Sequence, residues 1–301
     1  MIIVDNVSKR FGAVRALDGV SLRLERGERI GIVGSNGSGK TTLLRAILGL
    51  VRVEGTVTID GHDVARAPKE ALSRVAYAPQ IAPPIDAPVG ELVRLQCTLR
   101  GLSRASVVER ASRLGLDLDA IARTRFRDLS GGMKQKALAS LALASDAPVL
   151  VCDEPTANLD APARASFFAQ VGERLGETTL VLCSHRADEV RHLVDRVVEL
   201  RDGRVARDVP VAELMSDLRI SRVEVRTIGG AEAANTWLQA RGFTEIARGR
   251  FWGSFKHGEM LELVTQLMRD HGRQVDDLAI FDEGEIGGFA EAPASSKRRT
   301  A

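Results

Sequence analysis

Apolar and polar residues alternate in short bursts through roughly the first sixty positions: Ile2-Ile3-Val4, Val20-Ser21-Leu22-Arg23-Leu24 and Gly55-Thr56-Val57-Thr58-Ile59. A period of two, bounded by Asp18-Gly19 and Asp60-Gly61, predicts antiparallel strands that turn at those dipeptides. Arg29-Ile30-Gly31-Ile32-Val33 breaks the pattern. It is nearly all apolar and runs into a glycine-rich turn and a helix over Thr41 to Leu48, as a buried parallel strand feeding a helix would. From about Val89 to Ala147 the spacing becomes helical, around Glu91 to Leu95, Ser106 to Leu114 and Lys134 to Ala144. Pro79, Pro83, Pro84 and Pro88 lead into this stretch; so many prolines suit neither a strand nor a helix interior, and the segment reads as a hinge into an inserted helical subdomain. Two further buried strands, Val149 to Cys152 and Thr179 to Cys183, flank a helix that starts near Ala161-Pro162, so β-α-β alternation predicts a parallel sheet wrapped by helices. Beyond Val209-Pro210 the order becomes strand (Arg222 to Arg226), helix (Ala231 to Ala240), strand (Thr244 to Phe255), helix (Glu259 to Arg269) and strand (Leu278 to Phe281), a small α+β domain. Ala292 to Ala301 has no apolar periodicity and reads as a loose tail, and no internal repeat is visible.

Composition narrows the function classes. With 301 residues, 27% charged and 44% in the apolar set, the chain has ample material for a core and little of the bias of disordered proteins. Forty-two basic against 40 acidic residues give a net charge of +2, too balanced for the field of a dedicated nucleic-acid binder, so no direct nucleic-acid partner is expected. No run approaches the roughly 18 to 20 apolar residues of a membrane-spanning helix, and the N-terminus has no signal-peptide pattern. Three cysteines, Cys97, Cys152 and Cys183, lack CxxC spacing, which fits a reducing cytosol.

Two segments carry chemistry. Gly34-Ser35-Asn36-Gly37-Ser38-Gly39-Lys40-Thr41 fits G-x-x-x-x-G-K-[ST] between a buried strand and a helix. Such glycines let consecutive backbone N–H groups converge on phosphate oxygens, and the helix N-terminus adds positive potential. Lys40 would reach the β- and γ-phosphates, the Thr41 hydroxyl would ligate Mg²⁺, and Thr42 belongs to the same phosphate-binding run. Val149-Leu150-Val151-Cys152-Asp153-Glu154 ends an apolar strand on two adjacent carboxylates. In a phosphate-loop protein the first would hold Mg²⁺ and the second would orient or deprotonate an attacking water.

Leu129-Ser130-Gly131-Gly132-Met133-Lys134-Gln135, between those segments, is similar to the signature of ATP-binding-cassette (ABC) ATPases, and the resemblance covers about residues 1–210. It implies an α/β fold, a P-loop NTPase of ABC type with an antiparallel β subdomain and a helical subdomain inserted at about 81–147. A small α+β, ferredoxin-like domain would follow over 211–290, with a tail over 291–301. It also implies ATP and Mg²⁺ as ligands. Phe11 matches the residue that stacks on adenine, and Gln80 the glutamine that senses Mg²⁺ and the γ-phosphate. Asp160, in Asn158-Leu159-Asp160, matches the loop facing a second cassette, and His185 the histidine that grips the γ-phosphate. In this family two cassettes dimerise head to tail, so Ser130, Gly131 and Gly132 would complete the partner's site. Arg186 stands where an acidic residue is frequent, and Cys152 where an aliphatic one is; a redox or metal role for Cys152 and Cys183 is the alternative to small buried hydrophobes.

The expected function is the ATPase subunit of a membrane transporter, working with separate integral membrane permease subunits and a second cassette, most simply another copy. Its place would be cytoplasmic, peripheral on the inner face of the membrane through the permease. The helical stretch from Ile81 to Arg127 would receive the permease. The extension after Pro210 resembles that of exporter subunits, favouring export; an importer ATPase, or a soluble ABC ATPase acting on ribosomes or DNA, are the alternatives.

Overall fold

The opening alternation folds as two long strands, β1 (Ile2–Phe11) and β2 (Val14–Leu24), paired antiparallel. Residues 1–282 apart from 175, 185 and 219 are described in this computed structural model. Contacts divide them into two units, Met1–Val211 and the chain from Ala212 onward.

In the first unit β3 (Arg29–Val33) leads through the glycine-rich turn into α1 (Lys40–Ile47), and β4 (Glu54–Ile59) and β5 (His62–Asp63) return to the first sheet. That sheet is antiparallel, in the order β2-β1-β4-β5. After α2 (Pro68–Leu72) and β6 (Val75–Ala78) come three helices, α3 (Val89–Arg100), α4 (Arg104–Arg113) and α5 (Gly131–Leu143). β7 (Val149–Asp153), α6 (Ala161–Gly172), β8 (Thr179–Cys183), α7 (Ala187–Leu193), β9 (Arg196–Arg201) and β10 (Arg204–Pro210) complete the unit. The second sheet runs β10-β9-β3-β8-β7-β6. Its strands pair in parallel, as the β-α-β pattern predicts, except that β10 returns antiparallel as an edge. β7 and β8 are buried at every position, which explains their continuous apolar runs.

One core joins both sheets through α1. Leu43, Leu44 and Ile47 of α1 meet Ile2, Leu24 and Ile59 of the first sheet and Ile30, Ile32 and Val181 of the second. A separate apolar cluster, including Val89, Val93, Val107, Phe126 and Ala137, holds α3, α4 and α5 together, so the inserted helices have a core of their own.

One of the two predicted Asp-Gly turns is corrected. Asp60-Gly61 is a turn, with both residues at positive φ, but Asp18-Gly19 lies inside β2. There the pairing with β1 slips between Val7↔Val20 and Lys9↔Leu17, so the dipeptide forms a bulge and the Asp18 N–H turns to the Gly203 carbonyl at 2.9 Å.

The second unit begins in α8 (Val211–Leu218) and continues as β11 (Ile220–Thr227), α9 (Glu232–Ala240), β12 (Thr244–Ala247), β13 (Arg250–Lys256), α10 (His257–His271) and β14 (Val275–Asp282). The segment read as one strand over Thr244 to Phe255 is a hairpin, broken where Gly249 takes φ +69°. The β-α-β-β-α-β order and the antiparallel arrangement β12-β13-β11-β14 are those of a ferredoxin-like fold. Val223, Val225, Leu238, Phe251 and Met260 form its core. The tail read over 291–301 lies outside the described residues.

Phe126 is fully buried at the centre of the helical cluster. Phe126→Ala should cost about 3–5 kcal/mol of local stability, read as a lower urea midpoint and as faster hydrogen exchange over residues 89–144. Unchanged exchange there would contradict this packing.

Candidate functional site

The glycine-rich turn is held by contacts that admit no side chain. Gly34 (φ +146°) would place a Cβ 2.3 Å from the Leu200 carbonyl oxygen and 2.6 Å from Ser38 Oγ. Gly39 (φ +108°) would place one 2.5 Å from the Ala16 carbonyl oxygen. Gly39 caps α1, whose first turn has no acidic residue, so the positive end of the helix is uncompensated. Across the turn the Lys40 ammonium donates to the carbonyls of Gly34 at 2.7 Å and Ser35 at 2.9 Å. The result is a loop of fixed shape with its cation already in place.

Beside it opens a cleft of about 310 Å³, lined by Asn36, Gly37, Gly39, Lys40, Thr41 and Thr42 from the loop and by Gln80, Asp153 and Glu154 from neighbouring strand ends. β6 and β7 are adjacent parallel strands, so Gln80 and the acidic pair emerge at the same end of the sheet. Asp153 is buried, Oδ1 has no hydrogen-bond partner, and burial, then the Glu154 charge, raise its carboxyl above the ordinary value. An orphaned carboxylate oxygen sharing a cleft with a threonine hydroxyl and an ammonium fits a divalent cation with phosphate oxygens. Glu154 is buried with φ +46°, a backbone region that costs a non-glycine residue about 1–2 kcal/mol. Its N–H is held by the Cys183 carbonyl at 2.8 Å.

The other described candidates are not among the residues that line the cleft. Ser35 and Ser38 stand in the loop, Ser38 buried and Ser35 exposed. Phe11 is half exposed at the end of β1, with the Lys9 ammonium 5.1 Å from its ring centre, and is not in the cleft lining. Ser130 caps α5, accepting the Met133 N–H at 3.2 Å, and α5 also has no acid in its first turn. Ser130 and Gly131 are exposed, and neither they nor Gly132 line this chain's own cleft. Asp160 caps α6 through the Ala163 N–H at 2.9 Å and pairs with Lys136 at 3.0 Å. His185 lies outside the described residues.

Sequence reading missed Ala16 and Cys183 as cleft residues. Nothing local marks Ala16, whereas Cys183 ends a buried strand beside the acidic pair. In the parallel register Asp153 faces Cys183 and Cys152 faces Leu182, so the two thiols alternate to opposite faces of the sheet and cannot act as a pair. Burial pushes both thiols well above the ordinary range, leaving them small protonated hydrophobes. Burial likewise pushes Tyr77, near Asp153, up to about 12.

Fold and cleft define a P-loop NTPase with a helical insert. Residues 17–157 match the family described as ABC transporter. The daunorubicin resistance ATP-binding protein DrrA3 of Streptomyces coeruleorubidus is 32% identical over 289 residues, 93% of this chain and 91% of that one. The methionine import ATP-binding protein MetN of Mesorhizobium japonicum is 33% identical over 280 residues, 87% of this chain and 76% of that one. A dimeric, post-hydrolysis structure of the ATP-binding cassette MJ0796 with ADP and Pi aligns with TM-score 0.63 and 26% identity, over 70% of this chain and 99% of that one. The chain therefore belongs to the ABC transporter family, as an ATP-hydrolysing cassette. Among the described residues no helix is long and apolar enough to cross a membrane.

A carboxyl raised in the folded state binds its proton more tightly there than in the unfolded chain. Asp153 therefore opposes folding at pH values above its raised pKa and ceases to do so below its ordinary value of 3.8. At neutral pH, Asp153→Asn should raise the Tm of the ligand-free protein and weaken Mg·ATP binding by about tenfold or more. Scanning calorimetry and titration calorimetry read the two effects; a lower Tm with unchanged binding would contradict this account.

Proposed function

We propose that the chain is the ATPase subunit of a membrane exporter, hydrolysing ATP as one half of a head-to-tail pair of cassettes and driving separate permease subunits. The observation that carries it is the convergence of Lys40, Thr41, Gln80, Asp153 and Glu154 on one cleft at the N-terminus of α1. Phosphoryl transfer needs mainly positioned charge, and this cleft has a fixed loop of N–H donors, an ammonium and a carboxylate pair. Lys40 holds the β- and γ-phosphates, the loop from Gly34 to Gly39 cradles them through its backbone, and Thr42 adds a contact. Thr41, Asp153 and Gln80 would hold Mg²⁺, which when bound neutralises phosphate charge. Glu154 orients the attacking water and takes its proton, while Phe11 stacks on the adenine and His185 grips the γ-phosphate.

The α5 N-terminus supports the pairing. Capped by Ser130, free of first-turn acid, exposed, and outside its own cleft, it is an anion site with no anion of its own chain to bind. Presented to a second copy, Ser130, Gly131 and Gly132 close on that copy's γ-phosphate, and Asp160 lies in the loop along the same face.

A second, more apolar groove of about 240 Å³ runs between β6 and the inserted helices, lined by residues that include Tyr77, Pro83, Leu92 and Leu138. Ile81, Leu95 and Leu99 are exposed nearby in sequence, at 78%, 53% and 68%. An apolar groove with exposed leucines on its helix suits a short helix of a permease, which would hold the protein on the inner face of the membrane. Export rather than import is favoured by the drug-resistance relative, which aligns over 93% of this chain and 91% of its own length, against 87% and 76% for the methionine-import relative. The methionine-import relative makes import the alternative.

Lys40→Ala should abolish Mg·ATP binding and hydrolysis. Glu154→Gln should cut turnover by about 10²–10⁴-fold, the contribution of a positioned general base, and accumulate an ATP-dependent dimer on gel filtration. Turnover at the parental rate in Glu154→Gln would remove Glu154 from its role. Affinity purification from native membranes should retain an integral membrane protein; RNase-sensitive recovery with ribosomes instead would overturn the transporter assignment.

A further inference from the structure

Gln135 stands on the second turn of α5 with 1% of its surface exposed, and it is not among the residues that line the cleft. Its amide nitrogen donates to the Pro79 carbonyl at 3.1 Å and to the Pro155 carbonyl at 3.0 Å. Both partners can only accept, so the nitrogen of the amide has to face them. Pro79 immediately precedes Gln80, and Pro155 immediately follows Glu154. β6 and β7 pair with Ala78 opposite Cys152, which brings both carbonyls out at one end of the sheet, within reach of a single side chain. Alongside, α5 touches the same loop twice more: Gly132 lies close enough that a Cβ would be 3.0 Å from the Asn158 carbonyl oxygen, and Lys136 pairs with Asp160.

We infer that Gln135 is a positioning residue: its buried amide sets the places of Gln80 and Glu154 from the signature helix, so that a ligand seated on Ser130 to Gly132 is felt at the hydrolytic pair. The inference rests on the ATPase reading above. It gives physical form to coupling between the two ends of α5, because a rigid helix carries both the exposed anion site and the amide that grips the two loops. Gln135 itself touches neither phosphate nor water in this scheme. Gln135→Met fills the same volume without donors and leaves two buried carbonyls unpartnered; Gln135→Glu turns the donor into an acceptor facing two oxygens.

The test uses the full chain. In Gln135→Met and Gln135→Glu, kcat for ATP should fall about tenfold or more while KM and the calorimetric Kd for Mg·ATP stay within about twofold. The loss should persist at 15 °C, a condition in which circular dichroism checks that the variant is folded; a merely structural role would recover turnover once the fold is intact. Hydrogen exchange of the unmodified protein gives a second measurement that needs no variant. Adding Mg·ATP should change protection over residues 131–137, 79–82 and 155–160 together. Parental kcat in a folded Gln135→Met, or a change over 131–137 without the other two segments, would overturn this inference alone. Absence of hydrolysis in the parent protein would overturn the ATPase reading and this inference with it.

Discussion

Two carbonyl oxygens, those of Leu200 and Ala16, occupy the space where Cβ atoms would stand if positions 34 and 39 were anything but glycine. The rest of the site depends on that exclusion. β2, the β9–β10 connection and the phosphate loop lock together there, with the Asp18 N–H on the Gly203 carbonyl and the Gly203 N–H on the Ser38 carbonyl. A loop gripped this way cannot relax when charge arrives, so its N–H groups keep their aim and little reorganisation is needed at the moment of reaction. Three segments far apart in sequence are thereby committed to one function, which explains why the antiparallel sheet and the parallel sheet share one core through α1.

Charge is distributed around this fixed loop unevenly. The ammonium of Lys40 is satisfied by carbonyls of its own loop, whereas one oxygen of Asp153 is buried without a partner, beside Glu154 on a strained backbone. The site is therefore settled on its cationic side and unsettled on its anionic side. That asymmetry would suit a metal–triphosphate complex, which would bring both phosphate charge for the loop and a cation for the carboxylate.

The sequence was most readable where one residue type answers one steric or electrostatic demand. Gly34, Gly39 and Lys40 declare the loop, and adjacent acids at the end of a buried run declare the strand mouth. Legibility failed where a local signal has two structural outcomes. Asp18-Gly19 and Asp60-Gly61 are the same dipeptide at positive-φ glycines, yet one is a bulge and the other a turn; the difference is the Gly203 carbonyl waiting for the Asp18 N–H. Asp202-Gly203 is the turn between β9 and β10, a hairpin the alternation alone did not bring out. Gly249 likewise splits β12 from β13, where the run of strand-forming residues looked continuous. The bonds of Gln135 lay beyond any local reading, because Pro79 and Pro155 become neighbours only once β6 and β7 are paired.

The six-stranded sheet ends on β10, an antiparallel strand that alternates half-buried with exposed residues, carries Arg204, Arg207 and Asp208, and finishes at Pro210. Arg196 fastens it through Asp208 at 2.6 Å and reaches Glu28 at 2.6 Å as well. Such a border repels strand addition, since proline lacks a donor and charged side chains resist desolvation. At the opposite border β6 is only four residues long. Neither margin of this sheet therefore offers a seam to which a further strand would readily add.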